Sequence, residues 1–267
     1  MGSHVKRWIT GVVAVPLIIL LVLGPRYLFS LCIAILISAA VYEYNGMVFK
    51  KGFLVEKVEG HVIGVLIPLA AFWGGLQLMF AVVTLSLIAV FLVFLYGLKG
   101  NAFDLVSPIK VVFGFMYIPL TISYIIIARS LDNGALWVFF LIVMAFSSDI
   151  SAFYVGRTWG RRALMPAVSA GKTVEGAVGS IMGSILGCLL FKILLFKGIP
   201  LFHTVLIAVM GNILGQLGDL CESAVKRVSS VKDSGSLFPG HGGVLDRLDT
   251  FTFTIPFVYY YIILVMQ

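Results

Sequence analysis

The sequence predicts an all-α, polytopic transmembrane protein with about nine spans and a cytoplasmic N-terminus. Of its 267 residues, 60% are hydrophobic and only 12% are charged, which is too little charge to cover the surface of a water-soluble domain. Apolar runs of about 20 residues, the length at which a helix crosses the hydrocarbon core of a bilayer, recur along the whole chain. Such runs must be helical in lipid, because a helix satisfies its own backbone hydrogen bonds.

The apolar runs give the predicted positions of the spans. They cover residues 8–24, 27–49, 58–75, 77–97, 108–128, 134–155, 173–196, 200–226 and 246–266. Little more than Gly74 and Gly75 separates the third span from the fourth, so whether these are two spans or one is left open. The connections are short except for residues 156–172 and 227–245, which are rich in glycine and charged residues.

The distribution of basic residues predicts the orientation of the chain. With the N-terminus in the cytoplasm, 15 Lys and Arg residues fall in cytoplasmic segments and three, Arg26, Arg129 and Lys197, fall outside, as the positive-inside rule requires. Both long loops then lie on the cytoplasmic face of the cytoplasmic (inner) membrane. The formal net charge of +7 therefore reflects topology, and the sequence predicts no nucleic-acid partner.

Small residues recur on predicted spans seven and eight. Spacings of three and four residues let two helices approach closely in lipid, so we interpret these residues as packing positions rather than as a phosphate-binding loop. Those of span seven are Gly176, Gly179, Ser180, Gly183, Ser184 and Gly187, and those of span eight include Gly211 and Gly215.

Acidic residues concentrate near the cytoplasmic ends of the last two spans. Five of the twelve lie within 31 consecutive residues. An ion pair between Glu222 and Lys226, four residues apart, explains part of this pattern but leaves Asp219, deeper in span eight, unexplained. All three belong to one polar stripe on the helix, because residues at three- and four-residue intervals share a face. The stripe comprises Asp219, Glu222, Ser223, Lys226 and Arg227.

Polar residues also occur inside the apolar spans. Asp149 lies in the otherwise apolar span six, where an ionisable side chain costs about 3 kcal/mol and is by default a functional candidate. Asn212 and Gln216 extend the polar stripe of span eight toward the middle of the membrane.

The loop before span nine combines glycine with charge. Gly240, Gly242 and Gly243 make the backbone permissive and allow its amides to approach a ligand, and the helix that follows favours anions at its N-terminus. Asp246 and Asp249, one turn apart, begin that helix and point the same way. Complementing the helix dipole is the alternative explanation for this acidic pair.

Together these features predict a site for a nucleotide phosphate and a metal ion. Carboxylates at helix ends are hard oxygen ligands that suit Mg²⁺, while lysine, arginine and backbone amides bind phosphates. The sequence contains no Walker A loop, HExxH or GxSxG motif, so the commoner phosphate-binding and hydrolytic classes lack support.

The segment from Ser223 to Asp249 resembles the signature of the CDP-diacylglycerol synthase family, also called the phosphatidate cytidylyltransferases. The signature reads Ser-x-x-Lys-Arg, then Lys-Asp-x-Gly after four residues, then Pro-Gly-His-Gly-Gly-x-x-Asp-Arg-x-Asp, and it stands complete here. Residues 149–156 and 169–176 resemble two further blocks of the family, with Ala170 in place of the usual proline. The rest of the first half matches only in being apolar.

The resemblance implies an enzyme that transfers the cytidylyl group of CTP to phosphatidic acid, giving CDP-diacylglycerol and pyrophosphate in phospholipid biosynthesis. It implies Mg²⁺ as cofactor, with a second cation and a homodimer left open. In the expected mechanism the phosphate of phosphatidate attacks the α-phosphorus of CTP, and its oxygen is already anionic, so no general base is required. Two alternatives are a CTP-dependent lipid-alcohol kinase and an ion-coupled transporter that uses Asp149 and Asp219.

The expected site residues follow from the resemblance and the polar residues together. We expect Asp219, Asp246 and Asp249, with Glu222 as a fourth, to bind the metal, and Lys226 to act with the three aspartates in catalysis. The residues expected to bind the substrates are Asp149, Lys172, Glu175, Ser223, Lys226, Arg227, Lys232, His241, Gly242, Gly243 and Arg247. For His241 the alternative is a role in bracing its loop, and for Asp149 the choice between holding a second cation and orienting a lysine is left open.

This assignment divides the chain into two regions. Residues 1–130 are predicted to be a scaffold of transmembrane helices, which includes any homodimer contacts. Residues 131–267 are predicted to be the catalytic region, with 156–172 and 227–245 as its cytoplasmic loops.

Phosphatidate keeps its acyl chains in the bilayer while CTP arrives from water. The site is therefore expected to open sideways to the membrane as well as to the cytoplasm. The glycines beside Asp219 on span eight would either admit the lipid headgroup between helices or serve only for close helix packing. These glycines are Gly211, Gly215 and Gly218.

Overall fold

The computed structural model describes residues 15–49, 53–97, 104–235 and 242–266, and it is almost entirely helical. Residues 15–23 are helical and form the described part of α1. The other helices are α2 (Arg26–Val48), α3 (Leu54–Gly97), α4 (Val106–Phe115), α5 (Thr121–Ala128), α6 (Gly134–Trp159), α7 (Val174–Leu194), α8 (Leu201–Val228) and α9 (Leu245–Tyr261). Short π-helical turns, Met116–Leu120 and Ile262–Met266, join α4 to α5 and extend α9.

These helices confirm the predicted fold class, an all-α, polytopic integral membrane protein. In the described part of the chain, seven helical segments are long and apolar enough to cross a bilayer. The α4–α5 segment is the most enclosed of the seven. In its apolar stretch 78% of the residues are buried, against 22–44% in the other six segments. It therefore lies at the centre, and the exposed apolar side chains of the surrounding helices form the surface that faces lipid.

The longest helix, α3, is interrupted where the sequence separates two spans. A straight helix of its 44 residues would be about 66 Å long, roughly twice the hydrocarbon thickness of a bilayer. Gly75 breaks it with a φ of 59° and a ψ of −146°, a conformation that glycine adopts at little cost. The break supports separate spans at 58–75 and 77–97. The total of nine spans and the cytoplasmic N-terminus stay predictions.

A short β-hairpin, which the all-helical prediction did not include, follows α6. Strand β1 (Ala163–Met165) pairs antiparallel with β2 (Ser169–Thr173), which leads directly into α7. Helix α6 also runs to Trp159, four residues beyond its predicted end, and stops where Gly160 becomes extended. The predicted loop at 156–172 is therefore shorter and more regular than expected.

The glycines of α7 pack against α6, which confirms the packing interpretation of span seven. A Cβ on Gly179 would lie 2.6 Å from the Cβ of Val155, and one on Gly187 would lie 2.5 Å from the Oγ of Ser147. Side chains larger than glycine would therefore push the two helices apart.

The glycines of α8 also face neighbouring helices, so the interpretation that they admit a lipid headgroup is wrong. A Cβ on Gly215 would lie 2.8 Å from the Cγ2 of Thr250, and one on Gly218 would lie 2.5 Å from the backbone oxygen of Asp249. A Cβ on Gly211 would lie 3.1 Å from the side chain of a methionine of α6. Helices α9 and α6 already occupy the space that a headgroup would need.

Candidate active site

An open pocket of about 390 Å³ lies where the ends of α6 and α8 meet the β-hairpin and the start of α7. Its volume falls within the range of about 300–1,000 Å³ that is usual for small-ligand sites. Three residues predicted from separate parts of the sequence, Asp149, Lys172 and Asp219, line it together. Its wall also includes Ser148, Phe153, Arg157, Thr173, Gly176, Ser180, Gln216 and Thr250.

Opposite charges meet on the wall of this pocket. The Nζ of Lys172, on β2, lies 2.5 Å from the Oδ2 of Asp219, near the end of α8. Asp149 of α6 interacts electrostatically with both of these groups and with Arg247 at the start of α9. The pocket thus has carboxylates on its α6 and α8 sides and a lysine on its hairpin side.

The hairpin side also carries the N-terminus of α7. The Oγ1 of Thr173 accepts a hydrogen bond from the backbone N–H of Gly176 at 3.1 Å, which caps the helix, and both residues line the pocket. The positive end of a helix dipole favours anions. With Lys172 and Arg157 beside it, this side of the pocket suits a phosphate group.

Asp219, Glu222 and Asp249 form a compact group, called here the acidic cluster. One carboxylate oxygen from each lies within 4.8 Å of the other two. Asp219 and Glu222 share a face of α8 because they are one turn apart. Helix α9 packs closely on α8 at Gly218, where a Cβ would meet the backbone of Asp249. Asp219 belongs both to the acidic cluster and to the wall of the pocket.

The acidic cluster has the chemistry of a divalent-cation site. Three carboxylates this close together repel one another unless a cation or proton neutralises them. Glu222 is fully buried, and its Oε1 has no hydrogen-bond partner among the described residues. A cation would satisfy this buried acceptor, and carboxylate oxygens are the ligands that hard divalent cations prefer.

Two lysines neutralise only part of the negative charge of the acidic cluster and the neighbouring Asp246. Lys172 pairs with Asp219, and Lys226 pairs with both Glu222 and Asp246. The acidic cluster, Asp246 and these two lysines together carry four negative and two positive formal charges, a balance of −2. One divalent cation would neutralise this balance.

Asp246, which the sequence predicts as a metal ligand, makes other contacts in the structure. Its Oδ1 lies 2.6 Å from the Nζ of Lys226. Its Oδ2 accepts hydrogen bonds from the backbone N–H groups of Ser234, at 3.1 Å, and Gly243, at 2.7 Å. Asp246 thus fastens the loop after α8 to the first turn of α9. Its role as a metal ligand stays a prediction.

The glycine-rich loop is described only in part, and His241 lies outside the described residues. Gly242 has a φ of 80°, a left-handed conformation that favours glycine. The backbone N–H of Gly243, which the sequence predicts to cradle the triphosphate, donates to Asp246. Phosphate binding by Gly242, Gly243 and His241 stays a prediction.

Glu175 and Arg227, both predicted to bind substrate, hold the hairpin in place. The Oε2 of Glu175 accepts hydrogen bonds from the backbone N–H groups of Arg161 and Arg162, at 3.0 and 3.2 Å. The Nε of Arg227 donates to the backbone oxygen of Val168 at 3.0 Å. These contacts favour a role in orienting the hairpin that carries the pocket lysine.

Three further residues that the sequence predicts to bind substrate are not among the residues that line the pocket. Ser223 is buried on α8, while Lys232, just after α8, and Arg247, on the first turn of α9, are exposed. Their contacts with substrate stay predictions.

A buried polar network supports the floor of the pocket. The Nδ2 of Asn212 lies 2.8 Å from the Oγ of Ser148, 2.9 Å from that of Ser180 and 2.8 Å from that of Ser184, which joins α8 to α6 and α7. Gln216, which lines the pocket, donates to the Oδ1 of Asn212 at 2.6 Å. The sequence interpretation placed the amides on the polar stripe, but it assigned Ser180 and Ser184 to packing alone.

Glu43 of α2 is a buried carboxylate that the sequence interpretation missed. It is 8% exposed, and it accepts hydrogen bonds from the backbone of Val244 and Leu245 at the start of α9. An indication was present, because a carboxylate inside predicted span 27–49 is as costly as Asp149 in span six. Its partners, 201 and 202 residues further along the chain, emerge only from the tertiary structure.

The chain is similar to known proteins along almost its whole length. A family model described as the cytidylyltransferase family matches residues 5–265. The chain belongs to this cytidylyltransferase family. It is 36% identical to the phosphatidate cytidylyltransferase of Bacillus subtilis (strain 168) over 96% of both chains. It is 38% identical to the phosphatidate cytidylyltransferase of Staphylococcus saprophyticus over 60% of this chain and 58% of that one. The cytidylyltransferase match includes the pocket and the acidic cluster.

Proposed function

We propose that this cytidylyltransferase transfers the cytidylyl group of CTP to phosphatidate, forming CDP-diacylglycerol and pyrophosphate for phospholipid biosynthesis. The relatives named phosphatidate cytidylyltransferase, one of them similar over 96% of both chains, support this substrate pair. One observation carries the proposal: Asp219 belongs at once to the acidic cluster and to the wall of the phosphate-suited pocket. A shared carboxylate would keep a bound cation close to a nucleotide phosphate, as nucleotidyl transfer requires.

The reaction depends on positioning more than on proton transfer. An oxygen of the phosphatidate phosphate forms a bond to the α-phosphorus of CTP while the bond from that phosphorus to the pyrophosphate oxygen breaks. The attacking oxygen is already anionic, so the protein need not supply a general base. Catalysis then consists of aligning the two substrates and neutralising phosphate charge.

The residues of the site divide between these tasks. Asp219, Glu222 and Asp249 hold Mg²⁺, and when bound this ion supplies positive charge to the phosphates of CTP. Lys172 and Arg157, together with the N-terminus of α7, bind the triphosphate from the hairpin side of the pocket. Whether Asp149 holds a second cation or orients Lys172 stays open, as does the predicted homodimer.

Phosphatidate reaches the pocket along α6. Phe146, Ile150 and Phe153 are 54%, 58% and 58% exposed, and their spacing puts them on the same face of the helix as Asp149. Phe153 and Asp149 both line the pocket. An exposed apolar face on a transmembrane helix contacts acyl chains, so the lipid headgroup can enter the pocket while its chains remain in the bilayer. The sideways opening is thus expected along α6 and not beside the glycines of α8.

The site faces the cytoplasm from the inner membrane in this proposal. The hairpin and the loop after α8 lie at the helix ends that the basic residues assign to the cytoplasm, where CTP is available. Reporter fusions after Lys172 and after Gln267 test the orientation, with the first expected in the cytoplasm and the second outside. Finding both reporters on one side would contradict the nine-span layout.

Purified protein in detergent, supplied with CTP and phosphatidate, tests the reaction itself. We expect CDP-diacylglycerol and pyrophosphate in equal amounts, both dependent on Mg²⁺ and on phosphatidate. Formation of CDP from CTP in the presence of diacylglycerol would indicate the lipid-alcohol kinase instead. If CTP is consumed neither with phosphatidate nor with diacylglycerol, the result would favour the ion-coupled transporter.

A matched pair of lysine variants locates the reaction in the pocket. Lys172→Met should raise the KM for CTP by about 10–100-fold, the effect of losing one hydrogen bond between charged groups. Lys197→Met replaces an exposed lysine in the turn between α7 and α8 and should leave the KM for CTP unchanged. Equal effects of the two substitutions on the KM for CTP would show that Lys172 does not bind CTP.

A further inference from the structure

The carboxylate of Glu43 is hydrogen-bonded to the backbone at the start of α9. Its Oε1 accepts a hydrogen bond from the backbone N–H of Val244 and its Oε2 accepts one from that of Leu245, both at 3.0 Å. These N–H groups lie at the helix N-terminus, where the helix itself provides no acceptor for them. A negative charge at this end also complements the helix dipole. Glu43, on the second helix of the chain, therefore caps the last one.

The loop around Glu43 leaves space for its carboxylate. A Cβ on either Gly235 or Gly243 would overlap the carboxylate of Glu43, so a larger residue at either position would displace it. The Oγ of Ser234 lies 3.0 Å from the Oε2 of Glu43 and 2.9 Å from the Oδ2 of Asp246. Its single O–H can donate to only one carboxylate at a time, but its backbone N–H donates to the Oδ2 of Asp246 at 3.1 Å, so Ser234 can bond Glu43 through its hydroxyl and Asp246 through its backbone at once.

One route from Glu43 to the acidic cluster passes through polar side chains. Ser234 connects Glu43 to Asp246, Asp246 pairs with Lys226, and Lys226 pairs in turn with Glu222. Each contact in this series involves a charged group, so each is stronger than a hydrogen bond between neutral groups.

A second route passes through the backbone. Asp249 lies one turn after Leu245 on α9, and Glu43 holds the N–H of Leu245. A shift of this first turn would move the carboxylate of Asp249 relative to Asp219 and Glu222, which belong to a different helix. Cation binding is sensitive to ligand spacing, because the ligands must converge on one point.

We propose that Glu43 is a positioning residue for the cation site, fixing the first turn of α9 and thereby the place of Asp249 beside Asp219 and Glu222. The inference rests on the proposed function in one respect, namely that the acidic cluster binds a divalent cation. Glu43 acts through backbone N–H groups of α9 and not by touching the cation. The region 1–130, predicted as a scaffold, would then contribute directly to the geometry of the site.

Glutamine is the informative substitution for Glu43 because it has nearly the same shape. Both carboxylate oxygens accept from a backbone N–H, so the amide NH₂ of glutamine would face a donor in either orientation. One hydrogen bond is lost and two donors oppose each other. We expect the first turn of α9 to move away from its present position.

The affinity of the purified protein for Mn²⁺, measured in detergent without substrates by electron paramagnetic resonance, tests this role. Glu43→Gln should weaken Mn²⁺ binding by about 10–100-fold, the range typical of residues that orient metal ligands. Gly235→Ala should weaken it as well, because the added methyl group would displace the carboxylate of Glu43 while leaving its charge in place.

Asn45→Ala is the matched control. Asn45 lies on the same helix, is 5% exposed, and donates from its side-chain amide to the backbone oxygen of Lys57 at 3.1 Å. That contact holds α2 to α3 rather than to α9. The substitution should lower the midpoint of thermal unfolding and leave the affinity for Mn²⁺ unchanged.

The outcomes separate this inference from the proposed function. Wild-type protein that binds no Mn²⁺ would refute the cation site and the role of Glu43 together. Wild-type binding with an unchanged affinity in folded Glu43→Gln protein would overturn the role of Glu43 alone. If Glu43→Gln does not fold, an unchanged affinity in Gly235→Ala overturns it. An equal loss in Asn45→Ala would also do so, because general loosening of α2 would then explain the effect.

Discussion

Lys172 and Asp219 form an ion pair, with 2.5 Å between Nζ and Oδ2, at the boundary between the pocket and the acidic cluster. Lys172 lies on the second strand of the hairpin and Asp219 lies on a helix 47 positions later. The pair neutralises one carboxylate of the acidic cluster and keeps a lysine beside the phosphate-suited wall. In the proposed function, this one contact couples the cation-binding part of the site to the phosphate-binding part.

Substitutions of Asp249 and Asp246 are expected to differ in their effect on cation binding. Asp249→Asn should weaken Mn²⁺ binding by about 100-fold or more, since even residues that only orient ligands contribute 10–100-fold. Asp246→Asn should weaken it by about 10–100-fold, as for residues that only position ligands, and should also lower thermal stability, because Asp246 pairs with Lys226 and holds Gly243 at the start of α9. Binding measurements on both variants, with Asp132→Ala in an exposed turn as control, make the comparison. Equal losses would establish Asp246 as a ligand, as the sequence predicts.

Lys226 is expected to be important for stability as well as for the reaction. Its side chain is 13% exposed and lies between Glu222, 0% exposed, and Asp246, 12% exposed. Removing one member of a buried ion pair typically costs about 3–5 kcal/mol, so Lys226→Met should lower the free energy of unfolding by that amount in mixed-micelle denaturation. Exposed Lys232→Met should change it by less than about 0.5 kcal/mol. Adding Glu222→Gln to Lys226→Met should restore part of the stability, and no restoration would argue against unpaired charge as the cause.

The proposed lipid route predicts a selective effect at Phe153. Phe153→Gln removes apolar contact worth about 1.5 kcal/mol or more and should raise the KM for phosphatidate about tenfold, with the KM for CTP unchanged. Phe91→Gln, at a similarly exposed position on α3, is the matched control and should alter neither KM. A rise in both KM values for Phe153→Gln would place this side chain in the nucleotide part of the pocket.

Close packing of α8 on α9 predicts the behaviour of Gly215→Leu. The first added carbon would already lie 2.8 Å from Thr250, and overpacking of this kind costs about 1–3 kcal/mol. We expect a lower midpoint of thermal unfolding and equal losses for both substrates in steady-state kinetics. Gly46→Leu, where a Cβ would have nothing within 4 Å, should retain the wild-type midpoint. A loss of phosphatidate affinity alone, with an unchanged midpoint, would contradict the packing role of Gly215.

Much of the fold was predictable because the bilayer imposes a length on every span. Predicted span 200–226 became Leu201–Val228, and 173–196 became Val174–Leu194. The hairpin was not predictable from alternation, since its strands of 3 and 5 residues are too short to show a period of two. Its position depends on Glu175 and Arg227, whose contacts span 14 and 59 residues and arise only in the folded chain.

The site was predictable where helical spacing determines it. Asp219 and Glu222 had to share a face because they are one turn apart, and the structure brings Asp249 beside them. Spacing cannot decide whether Asp246 turns toward a cation or toward Lys226, because the path of the preceding loop determines that choice. The contacts of Glu43 with α9 could not be predicted from the sequence either, since a lone carboxylate in an apolar span does not indicate which residues will bond it.

The contact between Glu43 and α9 has a consequence for the biogenesis of the protein. The ribosome reaches Val244 201 residues after Glu43, which at 5–20 residues per second takes about 10–40 s. During that interval the newly inserted α2 carries a carboxylate without its eventual donors, at a cost of about 3 kcal/mol. Insertion of the last helix provides the missing N–H groups and brings Asp249 to the other two carboxylates in the same event. A nascent chain released before that event would lack Asp249 beside Asp219 and Glu222, so the proposed cation site is completed only when the last helix is inserted.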